Sequence, residues 1–308
     1  MIGHRVVIAC ALIASSCVTG VAQPPSTARP ELVEGRALRA GFRVASAALG
    51  RPEGLRDERP PLPGECFLLH EIGVGEVRRK PATACATRLS PASTFKIPHA
   101  LAALDAGVVS GPDETLTWDG VGRAYESWRR DHTLASAMRN SVLWYFQRVA
   151  EKLGMARERE YLKRFDYGNA DPSSGLTTFW LGESLLISPD EQQRFLLRLF
   201  NDDLLVSKAA LQTVRQILVQ PRDRVVNAMG EHPFAAPWPP DAVVSAKTGS
   251  ATDRTGKAVR WLVGHVRRGS RAWVFVSAVN GSDDLPALAA VDLAATSLRE
   301  EGVLRWER

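Results

Sequence analysis

The chain has 308 residues, 45% of them hydrophobic and 24% charged, with a formal net charge of +5. That length can bury a large core, as one big domain or two intimate subdomains, and the balance is that of a globular protein. Basic residues are scattered, as at Arg78-Arg79-Lys80, Arg129-Arg130 and Arg267-Arg268. They read as solvated faces and argue against a nucleic-acid partner.

The N-terminus reads as an export signal over residues 1–22. His4-Arg5 is a short positive region, and Val6 to Val18 is an apolar run too short to span a membrane. Gly20-Val21-Ala22 puts small residues where cleavage before Gln23 needs them. Ala14-Ser15-Ser16-Cys17 offers a poor lipoprotein box as the minor alternative. No later stretch is long and apolar enough for a transmembrane helix, so the mature protein is expected to be periplasmic with no integral membrane segment. Residues 23–62 are rich in Pro, Gly and Arg and read as a tether or arm. The folded unit is expected over 63–308.

Of the four cysteines, Cys10 and Cys17 fall in the signal. Cys66 and Cys85 remain, an even number in an exported chain. They flank what reads as a hairpin, so a disulfide is expected; two buried free thiols are the alternative. The six histidines lie far apart, without metal-ligand spacing, so no metal is expected.

Phe67 to His70 reads as a strand, Gly73-Val74-Gly75 as a turn, and Glu76 to Lys80 as its return. A helix is predicted from Ser93 to near Gly107. Leu134, Met138, Val142, Tyr145, Val149 and Leu153 recur at helical spacing up to Gly154, and Met155 to Phe165 repeats the habit. Tyr167 to Pro172 must be a loop. Ser188-Pro189-Asp190-Glu191 opens a helix through Phe200, and Leu211 to Leu218 is another. After Pro240 the pattern becomes strand-like. Val243 to Gly249 is followed by a hairpin of Trp261–Val266 and Ala272–Val279, and a last helix runs from Pro286 to Glu301. Strands at both ends around a helical middle predict an α+β fold: an antiparallel sheet flanked by N- and C-terminal helices, with a helical insertion at about 108–240.

The chemistry centres on Ser90-Pro91-Ala92-Ser93-Thr94-Phe95-Lys96-Ile97-Pro98. On a helix, Ser93 and Lys96 share one face, a turn apart. A serine needs a neighbouring base to act as nucleophile at neutral pH, and a helix start supplies unpaired N–H groups for developing negative charge. Lys96 can be that base if a dry pocket keeps it neutral or modified. Ser141-Val142-Leu143 supplies a second hydroxyl. Lys247-Thr248-Gly249 supplies a cation, a hydroxyl, and a glycine that lets a strand approach a ligand. Tyr167-Gly168-Asn169 and Phe179-Trp180-Leu181 complete the set; an indole N–H donates but cannot accept. Taken singly, a capping serine with a solvated lysine, a surface hydroxyl or a core tryptophan would explain each of these.

Their order is the specific signal. Ser-x-x-Lys, a hydroxyl motif, then Lys-Thr-Gly is the signature of penicillin-recognising serine enzymes. The class A Ser-Asp-Asn is missing. Together with Trp128 to Asp131, His132-Thr133-Leu134, Trp144-Tyr145 and Phe165-Asp166, these stretches resemble the class D, oxacillinase-type β-lactamases, from about residue 64 to the end. The resemblance implies that Ser93 is acylated by a β-lactam, the small-molecule partner. It implies that Lys96 is N6-carboxylysine, a carbamate formed with carbon dioxide that serves as general base without any other cofactor. It further implies that Trp180 hydrogen-bonds the carbamate and that Ser141 relays a proton to the leaving nitrogen. Lys247 and Thr248 line the substrate-carboxylate site, Ser93 and Ser250 give the oxyanion hole its N–H groups, and Val142, Leu143, Tyr167, Asn169 and Gly249 form the walls.

Two departures stand out. Leu143 replaces the family's usual valine, which packs against the modified lysine. No arginine occurs in Leu285 to Ala290, where the family often binds the substrate carboxylate, leaving Lys247 and Thr248 alone or with Arg254 or Arg260. Rival readings on the same motifs are an acylated antibiotic sensor, a cell-wall transpeptidase or carboxypeptidase, and a silent binding module. A membrane-spanning signalling portion would be expected of the first, an anchor or extra domains of the second, and lost catalytic residues of the third. The sequence sets no oligomeric state.

Overall fold

The computed structural model describes residues 64–235 and 238–305. The export signal, the 23–62 segment and the expected N-terminal flanking helix lie outside the described residues. The central sheet has five antiparallel strands: β1 (Glu65–Glu71), β2 (Gly75–Lys80), β7 (Ala242–Thr252), β8 (Ala258–Arg268) and β9 (Arg271–Gly281), in the order β2-β1-β9-β8-β7. The two hairpins meet where β1 pairs with β9, for example Leu68 opposite Val276.

Strand alternation sorts the apolar residues onto two faces. Phe67, Leu69, Leu262, Val266 and Phe275 pack against Val291, Ala294 and Leu298 of the C-terminal helix α7 (Ala289–Glu300). Leu68, Val263 and Val276 face the helical part. That part holds α2 (Lys96–Asp105), α3 (Leu134–Arg139), α4 (Leu143–Arg164), α5 (Pro189–Phe200) and α6 (Lys208–Ile217), after a short α1 (Ala82–Cys85). Two small ribbons accompany them: β3 (Thr115–Leu116) with β4 (His132–Thr133), and β5 (Arg224–Asn227) with β6 (Gly230–Pro233).

Local chemistry explains the helix starts. Ser188 accepts from Glu191 N–H while the Glu191 carboxylate accepts from Ser188 N–H, a reciprocal cap at the start of α5. Thr133 and Ser136 do the same for α3. The helix expected from Leu134 to Leu153 is two helices. The chain breaks at Asn140-Ser141-Val142, with Ser141 at φ 54°. Met155–Phe165, by contrast, continues α4, across a kink at Gly154 (φ 75°, ψ 157°) that glycine tolerates.

Cys66 on β1 and Cys85 on α1 are joined by a disulfide. The bond closes a loop with a sequence separation of 19. Replacing both cysteines by serine is expected to lower the unfolding free energy by about 3 kcal/mol, read as a lower midpoint in chemical denaturation that reductant no longer shifts.

His265 on β8 stacks on Phe200 of α5, rings 4.0 Å apart and 8° from parallel. Burial, with Arg215 and Arg267 adding, pushes its imidazole down to about 4 from 6.5. Between those values the unfolded chain binds the extra proton, so stability rises with pH. This contribution is full above about pH 6.5 and is lost as pH falls through about 4. His265→Phe keeps the stack, and is expected to flatten the fall in melting temperature over that window.

Candidate active site

Ser93 does not open an α-helix. It sits in a 3₁₀ turn, Ala92–Phe95, that runs into α2 at Lys96. The turn is pinned from several sides. The Ser90 hydroxyl donates to Trp180 O (3.0 Å) and accepts from Gly182 N–H (2.8 Å), and Trp261 Nε1 donates to Ser90 O (2.8 Å). Thr94 donates to Pro91 O and accepts from Gln192 Nε2. A Cβ at Gly249 would lie 3.1 Å from Pro91 O, from Thr94 Cγ2 and from Trp261 Cδ1. Glycine therefore lets edge strand β7 lie against the nucleophile turn.

Lys96 is fully buried, and its Nζ is 2.8 Å from Ser93 Oγ. It lies over the Phe146 ring, 5.6 Å from the centroid. Trp180 is also fully buried, stacked on Phe95 at 5.5 Å. Its Nε1 has no hydrogen-bond partner among the described residues. A buried donor left so is costly unless a ligand or modification meets it.

The break between α3 and α4 delivers the second hydroxyl. Positive φ at Ser141 turns its side chain to Lys247, whose Nζ donates to Ser141 Oγ at 2.9 Å and to Thr248 O at 2.9 Å. Trp128 Nε1 donates to Asn140 O and Trp144 Nε1 to Trp128 O, which holds this break in place. Val142 and Leu143 are buried at the start of α4. Ser93, Lys96, Ser141 and Lys247 thus form two hydroxyl–amine pairs, each nearly or fully out of water.

Tyr167 is buried against Phe95 and Phe195, and burial holds its phenol well above the usual tyrosine range. Asn169 is used up in its loop: its amide donates to Ser184 O and accepts from Leu186 N–H. Thr248 and Ser250 continue β7 beyond Lys247, with Ser250 opposite Arg260 on β8. Of the two substitute arginines, Arg254 is exposed beyond β7. Arg260 is buried, and its guanidinium donates to Ala251 O, Val259 O and Leu285 O. Burial lowers its basicity. Gln192 and Trp261 were not singled out from the sequence, and Ser90 was given no role beyond its place in the nucleophile motif.

Comparison with known proteins gives this arrangement a family. The penicillin binding protein transpeptidase domain matches residues 75–297, and the chain belongs to that family. Within it, the chain is a class D β-lactamase relative by sequence and by fold. It is 35% identical over 230 residues to the probable β-lactamase YbxI of Bacillus subtilis, covering 74% of this chain and 78% of that protein. It is 35% identical over 218 residues to β-lactamase OXA-48 of Klebsiella pneumoniae, covering 71% and 74%. A crystal structure of a class D β-lactamase from Bacillus subtilis superposes with a TM-score of 0.68 at 31% identity, covering 79% of this chain and 93% of that one.

Proposed function

We propose that the protein hydrolyses the β-lactam ring of penicillin-type antibiotics through a Ser93 acyl-enzyme, giving antibiotic resistance. The observation that carries this is the Ser93–Lys96 contact of 2.8 Å, buried beside a second hydroxyl–amine pair. Ser93 Oγ attacks the ring carbonyl and its proton passes to the lysine side. Lys247 holds the Ser141 hydroxyl, which hands a proton to the ring nitrogen as the C–N bond breaks. Lys247 and Thr248 meet the substrate carboxylate, and the N–H groups of Ser93 and Ser250 receive the developing oxyanion.

The chain's residues fit a carboxylated Lys96. Desolvation favours the neutral amine, the form that reacts with carbon dioxide, and Trp180 Nε1 is a buried donor awaiting an acceptor. The carbamate would supply a general base for both halves of the reaction. Phe146 covers this base on one side, and the full burial of Lys96 keeps it from bulk water.

Export to an oxidising compartment is part of the same reading. The Cys66–Cys85 disulfide supports it, and among the described residues no helix is long and apolar enough to cross a membrane. Labelled penicillin in excess over purified protein tests the proposal. Many ring openings per protein with only transient label on Ser93 are expected. Stoichiometric, persistent label would instead mark a sensor or a transpeptidase.

A further inference from the structure

His132 stands between the 3₁₀ turn Glu126–Trp128 and helix α3, and the reaction above gives it no part. The residue is fully buried, and both ring nitrogens are engaged. Nε2 lies 2.9 Å from Ser127 O, and Nδ1 lies 2.9 Å from Ser136 Oγ. A carbonyl oxygen only accepts, so Nε2 carries a proton. Burial pushes the imidazole below the usual histidine range, so at neutral pH Nδ1 is bare and accepts from the Ser136 hydroxyl. Ser136 is in the first turn of α3. The ring therefore ties the start of that helix to the carbonyl of Ser127.

The same turn grips the other end of α3. Trp128 Nε1 donates to Asn140 O at 2.9 Å, and Asn140 is the residue that caps α3 immediately before Ser141. Asn140 Nδ2 in turn donates to Ser136 O at 2.9 Å. With six residues, α3 is too short to keep its shape unaided. It is clamped at both ends to one turn, by His132 at its start and by Trp128 at its end. Trp144, in the first turn of α4, donates to Trp128 O and refers the next helix to the same turn. The turn is fixed to the β5–β6 ribbon through Ser127 Oγ, which donates to Ala228 O at 2.7 Å. A left-handed backbone at a residue other than glycine persists only where the surroundings over-determine it, and Ser141 at φ 54° has such surroundings.

We propose that His132 is a positioning residue for the Ser141 hydroxyl. By holding Ser127 and Ser136 at one spacing, the ring sets where the break at Asn140-Ser141-Val142 sits against Lys247. Ser141 Oγ is 2.9 Å from Lys247 Nζ there. Handing a proton to the ring nitrogen depends on that placement, and a misplacement of about 1 Å costs a reacting group up to roughly 100-fold. Without the Nε2–H donor the Ser127 carbonyl loses this bond and one of the two clamps opens. The Ser93 turn is held separately, by Ser90, Thr94, Gln192 and Trp261. Loss of His132 should therefore act on catalysis through Ser141 and leave the nucleophile in place. The ring touches no substrate and carries no proton in the reaction.

This inference rests on the Ser93 acyl-enzyme reading, and the test separates the two. Acylation of purified protein by benzylpenicillin is timed by rapid quench and intact-mass measurement, with each His132 variant made alone and together with Ser141→Ala. His132→Asn keeps a donor only near the place of Nδ1, and is expected to slow acylation at least about tenfold. His132→Phe fills the same space against Trp144 with no donor; the same loss is expected, and it decides the matter if His132→Asn does not fold. His132→Gln carries an amide N–H to the place of Nε2 and should bring the rate back to within about threefold of wild type. In the Ser141→Ala background none of the three should slow acylation by more than about a further twofold, because the hydroxyl they position is gone. Variants that melt lower yet acylate like wild type would overturn the inference and leave the acyl-enzyme standing. So would a loss that is undiminished beside Ser141→Ala, or Ser141→Ala acylating as fast as wild type. No adduct on Ser93 in the wild-type protein would overturn both.

Discussion

Lys96→Ala is expected to lower penicillin turnover by about 10³- to 10⁴-fold, the upper range for loss of a general base, and to leave Ser93 slowly acylated. The substitution removes the amine that lies 2.8 Å from Ser93 Oγ. The turn that presents the hydroxyl should survive, because Ser90, Thr94, Gln192 and Trp261 hold it independently of Lys96. An activated ring can still be opened slowly by an unassisted serine. The ester that results needs water activated by the same base, so it accumulates. Intact-mass measurement should therefore find a long-lived adduct at the mass of protein plus penicillin. Deacylation at the wild-type rate in this variant would refute the role given to Lys96.

Ser93→Ala is expected to abolish the adduct altogether and to reduce turnover by about 10⁶-fold. Lys247, Thr248 and the β7 edge are untouched, so the penicillin should still bind reversibly. The two variants are thus told apart by mass: one traps the acyl-enzyme and the other never forms it. A covalent adduct on Ser93→Ala would move the nucleophile elsewhere, with Ser141, the hydroxyl paired with Lys247, the first to test.

Much of the fold was legible in the sequence. The β8–β9 hairpin follows from two apolar runs around Arg267-Arg268-Gly269-Ser270, and Ser188-Pro189-Asp190-Glu191 marks the start of α5 as the structure has it. What escaped was mostly non-local or backbone-driven. Leu134, Met138, Val142 and Tyr145 keep helical spacing straight through the break at Ser141, because all four are buried on either side of it. Nothing local marks a serine at φ 54°; the bonds from Trp128 Nε1 to Asn140 O and from Trp144 Nε1 to Trp128 O hold it there. The pairing of β1 with β9 joins the two ends of the folded unit, and no turn chemistry announces it.

The site was legible in its residues and not in its supports. Ser93, Lys96, Ser141 and Lys247 stand in motifs with fixed order. The 3₁₀ turn replaces the expected α-helical start because Ser90 and Thr94 anchor it to Trp180 O and Pro91 O. Arg260 was weighed as a free cation, whereas three backbone carbonyls hold its guanidinium inside the fold.

The carboxylated lysine is tested most directly by rescue. Hydrolysis of a penicillin by the wild-type protein is followed at stepwise lower pH, with and without added bicarbonate at constant ionic strength. Protonation should strip carbon dioxide from Lys96, so activity should fall in acid and be restored by bicarbonate, with no such restoration in Lys96→Ala. Activity indifferent to bicarbonate across the whole acidic range would contradict the account.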